Sequence, residues 1–411
     1  MNPRQTEKDM KIAIVSDSFP PSRGGGVATS HYNLFSVFKN RGYCGKAFTY
    51  RDGGVLLSTN EEDVSRAGLP TLLIKFLTMT ILVGFRVVSQ RRGGWQFAGA
   101  ITGAIGGFLL RRKIRRFNPD ILVLPDHGAC GVFLPKSSSY KTVLISHHNP
   151  ARFVDEPLTG NHSKRDADWT LKLEEIVLAK VDGVICPSHY MKDTFLRTYS
   201  FSGPVAVIPN LVDIAMIEQV PKSLLHEKIG LSEETPIVYI PSAGSIFKGS
   251  KFVFEIIRRL ATNYEKDVGF YMSGDIGDEL SRMLDFVPSN VHLITPGQIP
   301  YNENIANIKS CSLCVSPTLS ESFGMAILEA QLCCLPVVSF DVGGNRDIIR
   351  EGATGYLVPF MDIEKLINLA NKLLCDREMC LKMGDEAKEH SLEDFDPNLL
   401  CDKYVSFFED L

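Results

Sequence analysis

"ESFGMAILE", residues 321–329, carries a glutamate at each end, and between them only Ser322 is polar. The next stretch, Ala330 to Pro336, adds a single polar group, Gln331. The run before it, Leu313–Ser316 (LCVS), is apolar enough for a buried strand, and Pro317–Ser320 is a turn. The spacing predicts a helix starting near Ser322. The first-turn amides of such a helix lack intrahelical partners, and its dipole is positive at that end. Gly324 removes a side chain where a ligand approaches, so the helix start suits a phosphate. Eight residues at 1.5 Å each span about 12 Å, comparable with the reach from a sugar across a diphosphate to a ribose. Glu329 lies on the stripe of Ser322 and Met325, where no polar face explains it. A buried carboxylate costs several kcal/mol unless partnered. Ribose hydroxyls and a basic residue of the same core are both open as its partners.

The same strand–turn–helix grammar extends in both directions. Lys11–Ser16, Ala47–Tyr50, Asp120–Pro125, Thr142–Ser146, Gly183–Pro187 and Val205–Pro209 are short Val/Ile-rich runs, with helical stretches such as Val27–Asn40 and Leu171–Lys180 between them. After a charged, less periodic stretch the alternation restarts with Ile237–Ile240, Val268–Ser273, Val291–Ile294, Leu313–Ser316 and Val337–Phe340. Strands alternating with helices imply parallel sheets covered on both faces. The chain is therefore α/β, with two doubly wound, Rossmann-like halves joined near residues 214–235.

With 411 residues, two domains are expected, and 44% apolar with 22% charged residues is ordinary globular composition. A net charge of −4 speaks against nucleic acid as a partner. The polar N-terminus and the absence of a long uncharged apolar run lead to an expectation of a cytoplasmic protein. Ten scattered cysteines, including the Cys311/Cys314 pair, suit reduced thiols in cores better than a zinc site. Residues 70–116 stand apart, with two apolar stretches followed by Arg86, Arg91 and Arg92, and then by Arg111, Arg112, Lys113, Arg115 and Arg116. They are either two helices with solvated basic ends or a face that lies on anionic lipid headgroups.

Three further groups carry potential chemistry, and two Asp pairs are discounted. Arg23-Gly24-Gly25-Gly26 follows the first strand and precedes a helix, so its amides can approach an anion. A dinucleotide site there would use Asp52, although the spacing departs from the usual glycine fingerprint. "PSAGSIFKGSKF" (241–252) places Lys248 after a Gly/Ser-rich turn, suited to diphosphate oxygens. "SHHNP" (146–150) ends a strand, where side chains face a ligand crevice, and either His147 or His148 points that way. Asp166/Asp168 and Asp394/Asp396 lie in polar helical contexts and are expected to be solvated carboxylates.

Taken together, these stretches resemble the retaining glycosyltransferases of family 4, which have the GT-B architecture and an E-x₇-E motif matched by Glu321 and Glu329. Residues 311–359 follow the family pattern, including Pro336, Gly343-Gly344, Asp347 and Gly355, and "VIPNLVDI" (207–214) and "MSGD" (272–275) are similar to further family turns. The resemblance implies two domains facing a cleft: an acceptor-binding domain over 1–213, a nucleotide-sugar-binding domain over 214–390, and a C-terminal helix over 391–411 returning to the first. It implies transfer of a sugar from a UDP- or GDP-type donor to a hydroxyl of a glycan or lipid-linked acceptor, with retention and with no metal or cofactor. Glu321 is then expected at the donor sugar and Lys248 at the departing diphosphate, with His147 as the active-site histidine and His148 as the acceptor-side alternative. Gly25, Gly26, Asn210, Ser245 and the Phe323–Gly324–Met325 amides would bind the donor, and Glu329 its ribose. One departure is that the family's Gly-Arg before the lysine is replaced by Ser242-Ala243-Gly244-Ser245, which leaves either Arg23, Arg152 or Arg346 to substitute, or Ser245 and local amides to suffice. The alternatives are a non-catalytic nucleotide-sugar-binding protein, or an epimerase or nicotinamide-dependent oxidoreductase on a similar frame. The expected location is cytoplasmic, with the inner face of an anionic membrane as the alternative that the lipid-facing reading of 70–116 would imply.

Overall fold

The Val/Ile-rich runs form two separate parallel sheets. The structure, a computed structural model, describes residues 8–20, 25–51, 63–67, 71–89, 94–154 and 163–411. The chain forms two compact units, one of residues up to Leu211 together with Pro397–Leu411, the other Val212–Asp396. The crossing points differ by two residues from the expected boundary at 213/214 and by six from that at 390/391, the second lying just before the last helix.

The first unit holds β1 (Lys8–Ser16), β2 (Tyr43–Thr49), β3 (Val64–Arg66), β4 (Ile121–Pro125), β5 (Lys141–Ile145), β6 (Gly183–Cys186) and β7 (Val205–Val207), ordered β3-β2-β1-β4-β5-β6-β7. Successive side chains of a strand point to opposite faces. Ala13 and Val15 accordingly join a core with Phe48, Leu110, Ile114 and Val177, while Ile12 and Ile14 join another with Leu34, Phe38, Leu400 and Tyr404. Helix Pro397–Glu409 is built into that second core, where Phe38 stacks on Phe408 with ring centroids 6.0 Å apart. Arg41 fixes its start through the carbonyl of Asn398 (2.8 Å) and the carboxylate of Asp402 (2.6 Å).

The second unit holds β8 (Ile237–Ile240), β9 (Val268–Met272), β10 (Val291–Ile294), β11 (Leu313–Ser316), β12 (Val337–Phe340) and β13 (Gly355–Val358), ordered β10-β9-β8-β11-β12-β13. In each sheet the order reverses beside its first strand, between β1 and β4 and between β8 and β11. Loops leaving the carboxyl ends of strands at such a reversal form the ligand crevice of open α/β sheets.

Two sequence expectations are corrected. The helix after β11 spans Met325–Leu332 instead of starting near Ser322, because Gly324 sits at φ +117°, a left-handed conformation that ends the preceding turn. Asp166 is not solvated. It is 2% exposed and accepts from the amides of Gly94 (2.9 Å), Gln96 (3.2 Å) and Phe97 (2.8 Å), capping helix Trp95–Phe117 from 70 positions away in the chain. The reading of the cysteines as core thiols holds for seven, with Cys311 and Cys314 unbridged and buried in the second unit's core, but Cys44, Cys334 and Cys375 are exposed.

Candidate active site

In the second unit the reversal between β8 and β11 brings the loops after those strands together. The loop after β8 ends in a 3₁₀ turn, Ile246–Lys248, and the loop after β11 carries Glu321. Lys248 Nζ donates to Glu321 Oε2 in an ion pair whose side chains retain 24% and 13% exposure. Glu321 Oε1 accepts from the Ser322 amide at 3.1 Å. The carboxylate is thus tied on both oxygens, and the lysine is held at the mouth of the turn. Ser245 starts that turn, its carbonyl accepting from the amides of Lys248 (3.0 Å) and Ser250 (3.1 Å).

The backbone of 321–324 is braced from below. A Cβ on Gly343 would fall 1.9 Å from the carbonyl oxygen of Glu321, and one on Gly344 would fall 2.6 Å from Phe323 Cα. Two glycines therefore let the turn Gly343–Asp347 lie directly against this loop. Asn345 holds that turn in place, donating to Ser339 Oγ (3.0 Å) and the Phe340 carbonyl (3.1 Å). Phe323 is buried with an edge-on contact to Phe395. Among the described residues, the amides of Phe323, Gly324 and Met325 donate to no protein acceptor. They form an unspent run of donors at a helix start beside a lysine, an arrangement suited to an anion.

Glu329 is 8% exposed, four residues into the helix. Its neighbour Gln331 is fully satisfied, donating to Thr354 Oγ1 (2.9 Å) and accepting from Ser391 Oγ (3.2 Å). Glu329 has only the hydroxyl of Tyr301, which donates to Oε1 at 2.8 Å, and no ion pair among the described residues. Burial pushes its carboxyl up to about 7, partly offset by the Tyr301 hydrogen bond. The alternative of a basic core partner for Glu329 is thereby removed.

In the first unit the groups lie on the loops after β1, β4 and β5. Gly25 caps helix Gly26–Asn40, and a Cβ on Gly25 or Gly26 would meet nothing within 4 Å, so space lies in front of this helix start. Arg23 and Gly24 of the same loop, like Asp52, Arg91 and Arg92, lie outside the described residues. His147 is 5% exposed, and its Nε2 donates to Asn210 Oδ1 (2.9 Å), which also accepts from Ser30 Oγ (2.8 Å). Asn210, expected among donor-binding groups, is therefore an internal acceptor of this unit and only 3% exposed. The His147 ring lies 5.4 Å from that of His31. Burial, and then His147, push His31 down to about 3, and burial lowers His147 as well, so both rings are neutral near pH 7. His148 is the more open of the pair, its ring set against His127 (4.8 Å) and Phe153 (5.1 Å).

Three contributors escaped the sequence reading. Asp126, at the carboxyl end of β4, accepts from Ser146 Oγ (3.1 Å) and from the amides of His148 (2.8 Å) and Asn149 (3.2 Å), and so shapes the histidine loop. It ends "DILVLPD" just as His147 follows the next strand, and that position was its signal. His31 and Tyr301 lie inside helices and gave none.

The missing arginine has a structural counterpart. Ala243 is fully buried, and a Cβ on Gly244 would lie 2.1 Å from the Asp275 carbonyl oxygen, so this loop has no room for a long side chain. Arg346 is held by both oxygens of Asp341, and Arg152 donates to the carbonyls of His147 (3.2 Å) and His148 (3.3 Å). Among the described residues no group of three or more His, Cys, Asp or Glu side chains is placed to hold a metal ion.

Two parallel, doubly wound units, each with candidate groups at its sheet reversal, define the GT-B class of sugar-transferring enzymes. The "Glycosyltransferase Family 4" model matches residues 24–216 and the "Glycosyl transferases group 1" model matches residues 221–390. The chain belongs to these glycosyltransferase families. It is similar to N-acetyl-alpha-D-glucosaminyl L-malate synthase of Bacillus anthracis, at 27% identity over 235 residues, covering 56% of this chain and 60% of that protein. It is also similar to the phosphatidylinositol N-acetylglucosaminyltransferase GPI3 subunit of Saccharomyces cerevisiae, at 25% identity covering 88% and 75% of the two chains. Solved structures with this fold include sucrose-phosphate synthase from Thermosynechococcus elongatus (TM-score 0.71, 18% identity, 98% of each chain). Another is Anabaena HepE in complex with UDP-glucose (TM-score 0.64, 17% identity, 98% of this chain and 100% of that one).

Proposed function

We propose that this glycosyltransferase moves a sugar from a nucleoside-diphosphate sugar to a hydroxyl of a glycan or lipid-linked acceptor, with retention and without a metal. The observation that carries the reading is the Lys248–Glu321 pair beside the undonated amides of Phe323, Gly324 and Met325. Breaking the bond between sugar and diphosphate builds negative charge on the leaving oxygen. Fixed donors and an ammonium at that position stabilise the charge without reorganising. Glu321, oriented by Lys248 and its own neighbouring amide, accepts from sugar hydroxyls. Glu329 accepts from the ribose, which supplies the donors its burial lacks. Ser245, at the start of the turn that carries Lys248, completes the anion's surroundings within this unit.

On the acceptor side, the neutral His147 positions Asn210 and the loop that presents His148. Two carboxylates flanking the sugar, as in glycosidases, are not part of the reading, because Glu321 is committed to Lys248. The complex of HepE with UDP-glucose supports a diphosphate-sugar donor, and the acetylglucosaminyltransferase names among the relatives support a hexosamine or hexose.

The test begins with a thermal-shift screen of UDP- and GDP-sugars, since a ligand that binds only the folded state raises stability by mass action. With the donor found, Lys248→Ala and Glu321→Gln are each expected to lower kcat/KM by about two to three orders of magnitude while leaving the circular dichroism unchanged. Wild-type turnover in both variants would remove the assignment. Donor binding with no turnover on any acceptor would favour a sugar-nucleotide sensor instead.

A further inference from the structure

Helix Thr71–Ser89 presents its apolar residues to solvent. Leu72, Phe76, Met79, Val83 and Val87 are 81%, 67%, 57%, 59% and 73% exposed. At about 100° per residue these five fall within an arc of roughly 80°, so they form one continuous stripe along the helix. Soluble monomers rarely leave a patch of this extent uncovered. The opposite side of the helix packs on helix Trp95–Phe117, and Phe85 is buried edge-on against Trp169. The helix carries two charged side chains, Lys75 and Arg86, and both fall along one edge of the stripe.

The neighbouring helix adds the matching charge. Its last two turns hold Arg111, Arg112, Lys113, Arg115 and Arg116. Lys113 donates to the Arg66 carbonyl, which ties this basic end to the segment leading into the apolar helix. Among the described residues Arg111, Arg112, Arg115 and Arg116 have no ion-pair partner. Arg111 rests over the Phe108 ring at 3.8 Å and, with Arg115, Lys136 and Tyr140, lines a concavity of about 360 Å³ that includes no carboxylate. Trp95, at the other end, is 66% exposed, an amphipathic ring of the kind that settles at headgroup level.

We propose that helix Thr71–Ser89 and the basic end of helix Trp95–Phe117 dock this unit on an anionic lipid bilayer, the apolar stripe embedded at the headgroup–acyl boundary. No helix among the described residues is long and apolar enough to cross a membrane, so the helix lies along the interface. A second copy of the chain is a poorer occupant, because a two-fold contact would bring the same cations face to face. An anionic surface matches both the stripe and the charge beside it. The docking does not rest on the donor site, which lies in the other unit.

Flotation with phosphatidylcholine vesicles, with and without phosphatidylglycerol, tests the proposal. The protein should rise with the anionic vesicles at low salt and remain below with the neutral ones. The pair Phe76→Asp and Val83→Asp should abolish flotation while melting and donor binding stay as in wild type, since both side chains are exposed. Arg112→Gln and Arg116→Gln should each weaken binding about fivefold and flatten its salt dependence. Glu321→Gln should float like wild type even when inactive, which separates this proposal from the catalytic one. Failure to float at low salt, or undiminished flotation of the double aspartate variant, overturns it. So does a dimer in light scattering that the aspartates dissolve without any vesicle binding, because the stripe would then belong to a second copy.

Discussion

The two units assemble their candidate groups by different means. In the second, the groups are backbone amides of consecutive residues, held from beneath by the glycines at 343 and 344, with one lysine added from a neighbouring loop. In the first, they are side chains that hold one another: His147 reaches Asn210 across 63 positions, and Ser30 reaches it across 180. The backbone arrangement of the second unit fixes geometry through close contact and leaves polar donors open. The side-chain network of the first unit fixes geometry by consuming polar groups inside the fold. Perturbing the one should therefore damage chemistry ahead of stability, and perturbing the other should do the reverse.

Four substitutions sharpen or break that contrast. The largest effect is expected from Gly343→Ala, whose methyl group would collide with the Glu321 carbonyl. Turnover should fall at least about a hundredfold, with overpacking costing about 1–3 kcal/mol of stability by urea melting. Near-normal kinetics would mean that the loop is not held by this contact. Next, Asn210→Ala removes the acceptor of two buried donors and should destabilise the protein by about 2–4 kcal/mol. A double-mutant cycle with His147→Ala should show strong coupling; additive losses would dissolve the network.

Third, Glu329→Gln has a pH signature. The carboxyl, ordinarily at 4.5, is raised to about 7 in the folded protein, so the folded state holds the proton more tightly than the unfolded one. Stability from this group is therefore intact below about 4.5 and is lost as pH rises towards 7. In the absence of donor the variant should be more stable than wild type by roughly 3 kcal/mol at pH 8, and little changed at pH 5. Its affinity for a nucleotide donor should fall at both. An unchanged difference in melting temperature between the two pH values would refute the raised carboxyl. The smallest effect belongs to Tyr301→Phe, which removes one hydrogen bond, worth about 1 kcal/mol, and drives Glu329 further upward.

The same contrast explains what could be read in advance. Strands β8, β11 and β12 were legible at both ends, because a buried parallel strand is a short continuous run of Val, Ile and Leu. Of the edge strands, β10 was also legible, but β3 and β13 were not. Val64–Arg66 is three residues long, and Gly355–Val358 opens on a glycine, so neither stands out from a loop. Glu321, Lys248 and the amides beyond Ser322 were legible because they lie within contiguous stretches whose spacing carries the chemistry. The partners of His147 were not, because nothing local links positions 30, 31, 147 and 210. Asp166 misled for a related reason: its polar helical surroundings hid a cap for a helix start some 70 residues earlier.

The helix that completes the first unit is reached by the chain only after the whole of Val212–Asp396. Until Leu400, Tyr404 and Phe408 arrive, the core that holds Phe38 and Leu34 lacks one wall. On the ribosome, then, the later unit can settle while the earlier one waits with a greasy flank open to chaperones. Truncations near residue 397 should damage the half of the molecule that was synthesised first.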